Sequence, residues 1–123
     1  MADRAELKRQ YKDSTPQMGV FVVRNQVSGK VLLGASLNIP GSFNRVRFQL
    51  QNGSHMNADL QRDWNTQGAD SFAFEVLDEL KPVTDDPARD YREDVAALKS
   101  LWLEKLQPYG EAGYNARPKS ASS

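Results

Sequence analysis

Apolar residues recur along this chain in two rhythms, one of strands and one of helices. Val20-Phe21-Val22-Val23 and Val31-Leu32-Leu33 are short runs of β-branched, aromatic and leucine side chains, separated by the turn-forming stretch Asn25-Gln26-Val27-Ser28-Gly29-Lys30. That pattern predicts an antiparallel hairpin with a loop of about five residues. Around Pro40-Gly41 the rhythm changes. Ile39, Phe43, Val46 and Leu50 lie four, three and four residues apart, which puts them on one face of a helix that Asn52-Gly53 should end. Met56, Leu60 and Trp64 recur at intervals of four, predicting a second helix with Ser54 or Asn57 as its cap and Gly68 just past its end. Phe72-Ala73-Phe74-Glu75-Val76-Leu77 returns to strand chemistry, with Phe72, Phe74 and Val76 on one face by their period of two, so a third strand should lie beside the hairpin. Thr84-Asp85-Asp86-Pro87 then resembles a helix start, Asp86 as cap and Pro87 in the first turn, and Tyr91, Val95, Leu98 and Trp102 mark the face of a helix ending near Gln107-Pro108. Residues 1–17, with a short helix over 5–11, read as an arm. Residues 116–123 read as a disordered tail, leaving 18–115 as one α+β domain.

Composition narrows the class. A length of 123 residues suits one domain with a real core, and 39% hydrophobic with 26% charged residues is the balance of a packed protein. The chain has no cysteine, which excludes disulfides, thiolate metal sites and Cys nucleophiles. No stretch approaches the roughly 18 apolar residues of a membrane span, nor is there a signal-peptide core near the start, so a cytoplasmic location and no membrane partner are expected. Sixteen basic and sixteen acidic residues cancel, unlike the strongly basic balance of proteins that grip nucleic acid mainly through phosphates. The halves differ, however: residues 1–60 carry +4 and residues 61–123 carry −4. One side of the folded surface could face phosphate.

Specific residues on this layout resemble the GIY-YIG nuclease domain, in particular the cleavage modules of phage homing endonucleases. Gly19-Val20-Phe21 stands where the first signature tripeptide belongs and Leu32-Leu33-Gly34 where the second does. Asn25 with Ser28-Gly29-Lys30 matches the hairpin loop, and Gly34-Ala35-Ser36 with Asn38 continues the likeness. Ser54-His55, Asn57, Leu60-Gln61, Trp64-Asn65 and Gly68 match the second helix, Phe74-Glu75-Val76-Leu77 with Glu79-Leu80 the third strand, and Trp102, Lys105-Leu106 and Gly113-Tyr114-Asn115 the closing helix and tail. The resemblance spans residues 18–115 without large gaps. It implies a three-stranded antiparallel sheet flanked by helices and the hydrolysis of phosphodiesters.

Such hydrolysis needs a water nucleophile, a proton acceptor, a cation against the phosphoryl oxygens and usually Mg²⁺ held by a carboxylate. The resemblance assigns these tasks to two tyrosines, an arginine and often a histidine on the first helix, a glutamate on the last helix and a tail asparagine. The matching positions here hold Phe21, Leu32, Ser42, Val46 and Lys99. Phe21 lacks the phenolic O–H and Leu32 lacks the ring as well, Ser42 and Val46 can neutralise no charge, and an ammonium at Lys99 cannot ligate Mg²⁺. Among the polar functional positions, His55 and Asn115 match. Arg45, three residues beyond Ser42, would point within roughly 60° of the same direction on a helix and could deliver a guanidinium nearby. Glu104 and Asp94 are poor substitutes as metal ligands, since each stands five residues from Lys99.

Three functions follow from these residues: a nuclease-fold domain that has lost cleavage and acts by binding nucleic acid or a partner, an active divalent-metal-dependent DNA endonuclease with a rearranged site using Arg45, and a protein-interaction domain with no nucleic-acid role. The first needs no cofactor, whereas the second requires Mg²⁺. Catalytic candidates are Arg45, His55 and Asn115, the nucleic-acid candidates are Lys30, Arg45 and Arg47, and no metal ligand is assigned. Each has a plainer alternative: His55 suits a helix cap, Asn115 a structural turn, and the cations a solvated face. Trp64 and Trp102 read as core, and the acids from Asp85 to Asp94 as complements to a helix dipole.

Overall fold

The structure, a computed structural model, describes residues 16–86 and 88–117. The helix expected over 5–11, Pro87 and residues 118–123 lie outside it. Strand β1 (Met18–Asn25) is the centre of a three-stranded antiparallel sheet, flanked by β2 (Val31–Ser36) and β3 (Phe72–Leu80). Its central place explains the unbroken apolar run, because both faces of β1 are covered. Phe21 and Val23 pack under α1 (Ile39–Asn52) and α2 (Ala58–Gln67), while Val20 and Val22 join Val31 and Leu33 beneath Leu98 and Trp102 of α3 (Arg92–Leu106).

Local chemistry fixes most boundaries. Asn38 caps α1 by accepting the Gly41 N–H at 3.1 Å, so Pro40 and Gly41 sit inside the first turn, where a missing N–H does no harm. Gly53, at φ 73°, ends that helix in the left-handed conformation glycine adopts freely. Asn57, rather than Ser54, caps α2 through a 3.0 Å bond from Leu60 N–H. Met56 does not belong to the predicted apolar stripe. It precedes that cap, where helical spacing no longer applies, and is 93% exposed.

The last helix also departs from expectation. It begins at Arg92, because Asp86 and Asp90 each close only a local turn, accepting from Ala88 N–H and Arg92 N–H at 2.9 Å. Tyr91 sits at its start and accepts a 3.0 Å bond from Val83 N–H, tying the preceding loop down. In β3 the register slips between Val20 and Phe21, which pair with Asp78 and Val76 and leave Leu77 as the extra residue of a bulge. Phe72 is buried and Phe74 half-buried as their shared face requires, but Val76 beyond them is 40% exposed.

The chain closes on the outer edge of β2. Gly113 forms a parallel bridge with Val31, Tyr114 N–H donates to Val31 O at 2.9 Å, and the Asn115 side chain both accepts from Leu33 N–H at 2.8 Å and donates to Leu33 O at 3.0 Å. An edge that would otherwise offer unpaired backbone groups is thereby covered.

Candidate functional site

On the α1 side of the sheet, Phe21 of the first signature tripeptide joins an aromatic stack. Phe21 meets Phe43 edge-on with ring centroids 5.3 Å apart, and Phe43 meets Phe74 at 5.4 Å, geometries that aromatic quadrupoles favour. Gly34 stands opposite Phe21 in the β1–β2 register, and a Cβ there would lie 2.5 Å from the ring tip. The ring therefore needs that glycine. Gly19 has φ +143° and no room for a Cβ, which would run into the Asp78 carbonyl of β3. Both glycines thus answer to strand pairing and ring packing, for which a phenolic O–H is irrelevant.

The remaining matched positions are taken up by packing and by local hydrogen bonds. Leu32 lies half-buried against the same cluster and Val46 is buried within it. Ser42, also buried, donates its hydroxyl to Ser36 Oγ at 2.6 Å, and Ser36 Oγ accepts the Asn38 N–H at 2.9 Å, joining the end of β2 to the start of α1. Lys99 is half-buried on α3, which packs on the other face of the sheet. Asp94 pairs with Arg89 at 3.0 Å and Glu104 is exposed. Among the described residues no three His, Asp or Glu side chains are grouped to hold a metal ion. Lys99, where the resemblance expects a metal-binding glutamate, offers an ammonium, which cannot ligate Mg²⁺.

The polar candidates are scattered between structure and solvent. Asn115 spends its amide on the Leu33 backbone. His55, half-buried before α2, accepts the Asn57 N–H on Nδ1 at 3.0 Å, so its ring proton resides on Nε2, and its own N–H donates to Gln61 Oε1 at 3.0 Å. Gln61 is buried, and its side-chain amide donates in turn to Leu50 O at 3.0 Å, joining the two helices. Burial holds the imidazole pKa below its ordinary value of 6.5. The unfolded chain therefore binds more protons than the folded one as pH falls through 6.5, and His55 lowers stability on that acid side, whereas above 6.5 its effect vanishes. Urea unfolding at pH 7.5 and pH 5.5 should show a smaller acid loss for His55→Gln than for the parent chain. An equal loss would mean that His55 carries no such linkage.

Arg45 is exposed on α1 and has no hydrogen bond or ion pair among the described residues. Arg47 lies over the Phe74 ring, 4.4 Å from its centroid, and the Lys30 ammonium stands 5.6 Å from the Tyr114 centroid. Neither has a carboxylate partner among the described residues. By contrast, Arg24 pairs with Glu75 at 2.6 Å and Arg62 with Asp59 at 3.2 Å. Residues 14–58 contain four Lys/Arg and no Asp or Glu at all, so the three free cations sit where the chain has no acid of its own.

Sequence reading alone missed a buried network behind them. Asn25 is fully buried, accepts from Val27 and Ser28 N–H through Oδ1, and donates through Nδ2 to the Tyr114 hydroxyl at 3.0 Å. That hydroxyl donates to Asp63 Oδ2 at 2.7 Å, while Asn57 Nδ2 reaches Tyr114 O at 2.6 Å. Burial, and then the neighbouring Asp63 carboxylate, push the phenol pKa up to about 12, so it stays a neutral donor. Asn25 followed by Ser28-Gly29 signalled a turn, but nothing local signalled its remote partners.

A central β1 between two antiparallel neighbours, two helices on one face and one on the other, with both signature glycines in place, is the fold of GIY-YIG nuclease catalytic domains. The structure superposes on the catalytic domain of homing endonuclease I-TevI with a TM-score of 0.66 and 23% identity, over 82% of this chain and 99% of that domain. A mutant of the catalytic domain of intron endonuclease I-TevI gives a TM-score of 0.65 and 24% identity over 80% of this chain and 92% of that one. No sequence-family model and no curated protein sequence matches the chain. No helix among the described residues is long and apolar enough to cross a membrane.

Proposed function

We propose that this chain is a nuclease-fold domain that binds nucleic acid without hydrolysing it. One observation carries the reading: the signature glycines and their ring packing are kept, while the positions for proton transfer, counter-charge and metal hold Phe21, Leu32, Ser42, Val46 and Lys99. Hydrocarbon, a hydroxyl already engaged with Ser36 and an ammonium cannot activate water or hold Mg²⁺. Binding falls to Lys30, Arg45 and Arg47, which have no carboxylate partner among the described residues, so their charge is available to phosphates.

Two assays on the full chain test this reading. Supercoiled plasmid should stay uncut with Mg²⁺ or Mn²⁺, and nicking abolished by Arg45→Ala would instead establish an active, rearranged nuclease. Labelled DNA should bind with an affinity that falls as salt rises, and replacing Arg45 and Arg47 with alanine should lower the salt slope by about one for each residue that touches a phosphate. Absence of DNA binding rules out the nucleic-acid role and leaves a protein partner as the occupant to seek, while salt-independent binding counts against phosphate contacts by these cations.

A further inference from the structure

The outer face of α1 carries one residue that its buried stripe does not explain. Phe48 lies two positions past Val46, points away from the core and is 64% exposed. One turn to either side of it stand Asn44, Arg45, Gln51 and Asn52, all exposed. At spacings of three and four, these are the side chains that surround Phe48 on the helix surface. The ring is thus bordered by one guanidinium and three carboxamides, with no carboxylate on the helix. Beside this face Arg47 is held over Phe74, and an arginine steadied against an aromatic ring can offer the other side of its guanidinium to a base.

Resting on the binding role proposed above, we infer that this face is a stacking platform for single-stranded nucleic acid. Phe48 would stack on a base, Arg45 would meet the backbone, and the carboxamides would hydrogen-bond base edges. Charge selects a nucleic acid over an acid-poor protein surface, because the platform lies within the acid-free stretch 14–58. The ring selects single strands over duplex: paired and stacked bases hide the π-faces that an exposed phenylalanine needs, whereas an unpaired strand presents them.

The test uses the full chain with fluorescein-labelled oligothymidine and, separately, a labelled duplex of equal length, read by anisotropy. Single strand should bind the more tightly. Phe48→Ala should weaken single-strand binding about tenfold while leaving duplex binding almost unchanged. Phe48→Trp should retain affinity, and its added indole emission should be quenched as the strand binds. A duplex bound as tightly as the single strand, or Phe48→Ala without effect on single-strand affinity, overturns the inference. If duplex binding still depends on Arg45 and Arg47, the broader reading survives that failure, whereas absence of binding to both forms sinks the two together.

Discussion

Alanine at Gly19 should destabilise the domain by about 3 kcal/mol or more, seen as a lower urea midpoint with little change in slope. Two effects add. At φ +143° an L side chain is strained wherever it stands, and here the new methyl would meet the Asp78 carbonyl of the neighbouring strand. Because Gly19 pairs with both Ser36 and Glu79 near one end of the central strand, the clash cannot be relieved without shifting a register. Gly29→Ala is the comparison: it too has a positive φ, +82°, but its Cβ would meet nothing within 4 Å, so it carries strain alone, about 1 kcal/mol. Equal losses for the two variants would show that crowding against Asp78 plays no part.

Asn115 has the second large effect, and its sign separates chemistry from architecture. Asn115→Ala strips the Leu33 N–H and C=O of their partners. Leu33 is nearly inaccessible to water, and buried backbone groups left unpaired cost about 1–3 kcal/mol each. A total loss of about 2–4 kcal/mol in urea unfolding is expected. Asn115→Asp should recover little, since a carboxylate can accept from the Leu33 N–H yet sets oxygen against the Leu33 oxygen. A residue kept only to position phosphate would leave stability untouched in both variants, and that outcome would remove the structural role assigned to it.

Periodicity made the scaffold readable where one element answers to one neighbour. The stripe Ile39, Val46 and Leu50 marked the buried face of α1, and Asn57 with Gly68 bracketed α2 within a residue or two. It misled where local chemistry competes. Met56 kept a spacing of four but stood outside the helix, and Asp86 had the chemistry of a cap yet closed only a turn, six residues before the first residue of α3. Long-range pairing left no trace at all: Asn25 bonds to a tyrosine 89 residues away and Asn57 to a carbonyl 57 residues away.

The candidate site was legible in part for the same reason. Arg45, Arg47 and Lys30 could be named from their place in the chain, but not their lack of carboxylate partners among the described residues, because every carboxylate that might have neutralised them lies elsewhere in sequence. Phe48 was not singled out, although it stands as an aromatic two positions off an otherwise regular stripe. Its meaning required knowing that, among the described residues, no second layer covers that side of α1.

Closing β2 with residues 113–115 ties completion of the sheet to a segment far downstream of the strand it covers. Leu33 and Asn115 are 82 residues apart, so the hairpin and first two helices can assemble while that flank is still bare, and only the segment that follows α3 seals it. A transcript cut short after α3 would release a product with nearly all its core residues and an open strand, a species suited to sticking to its own copies.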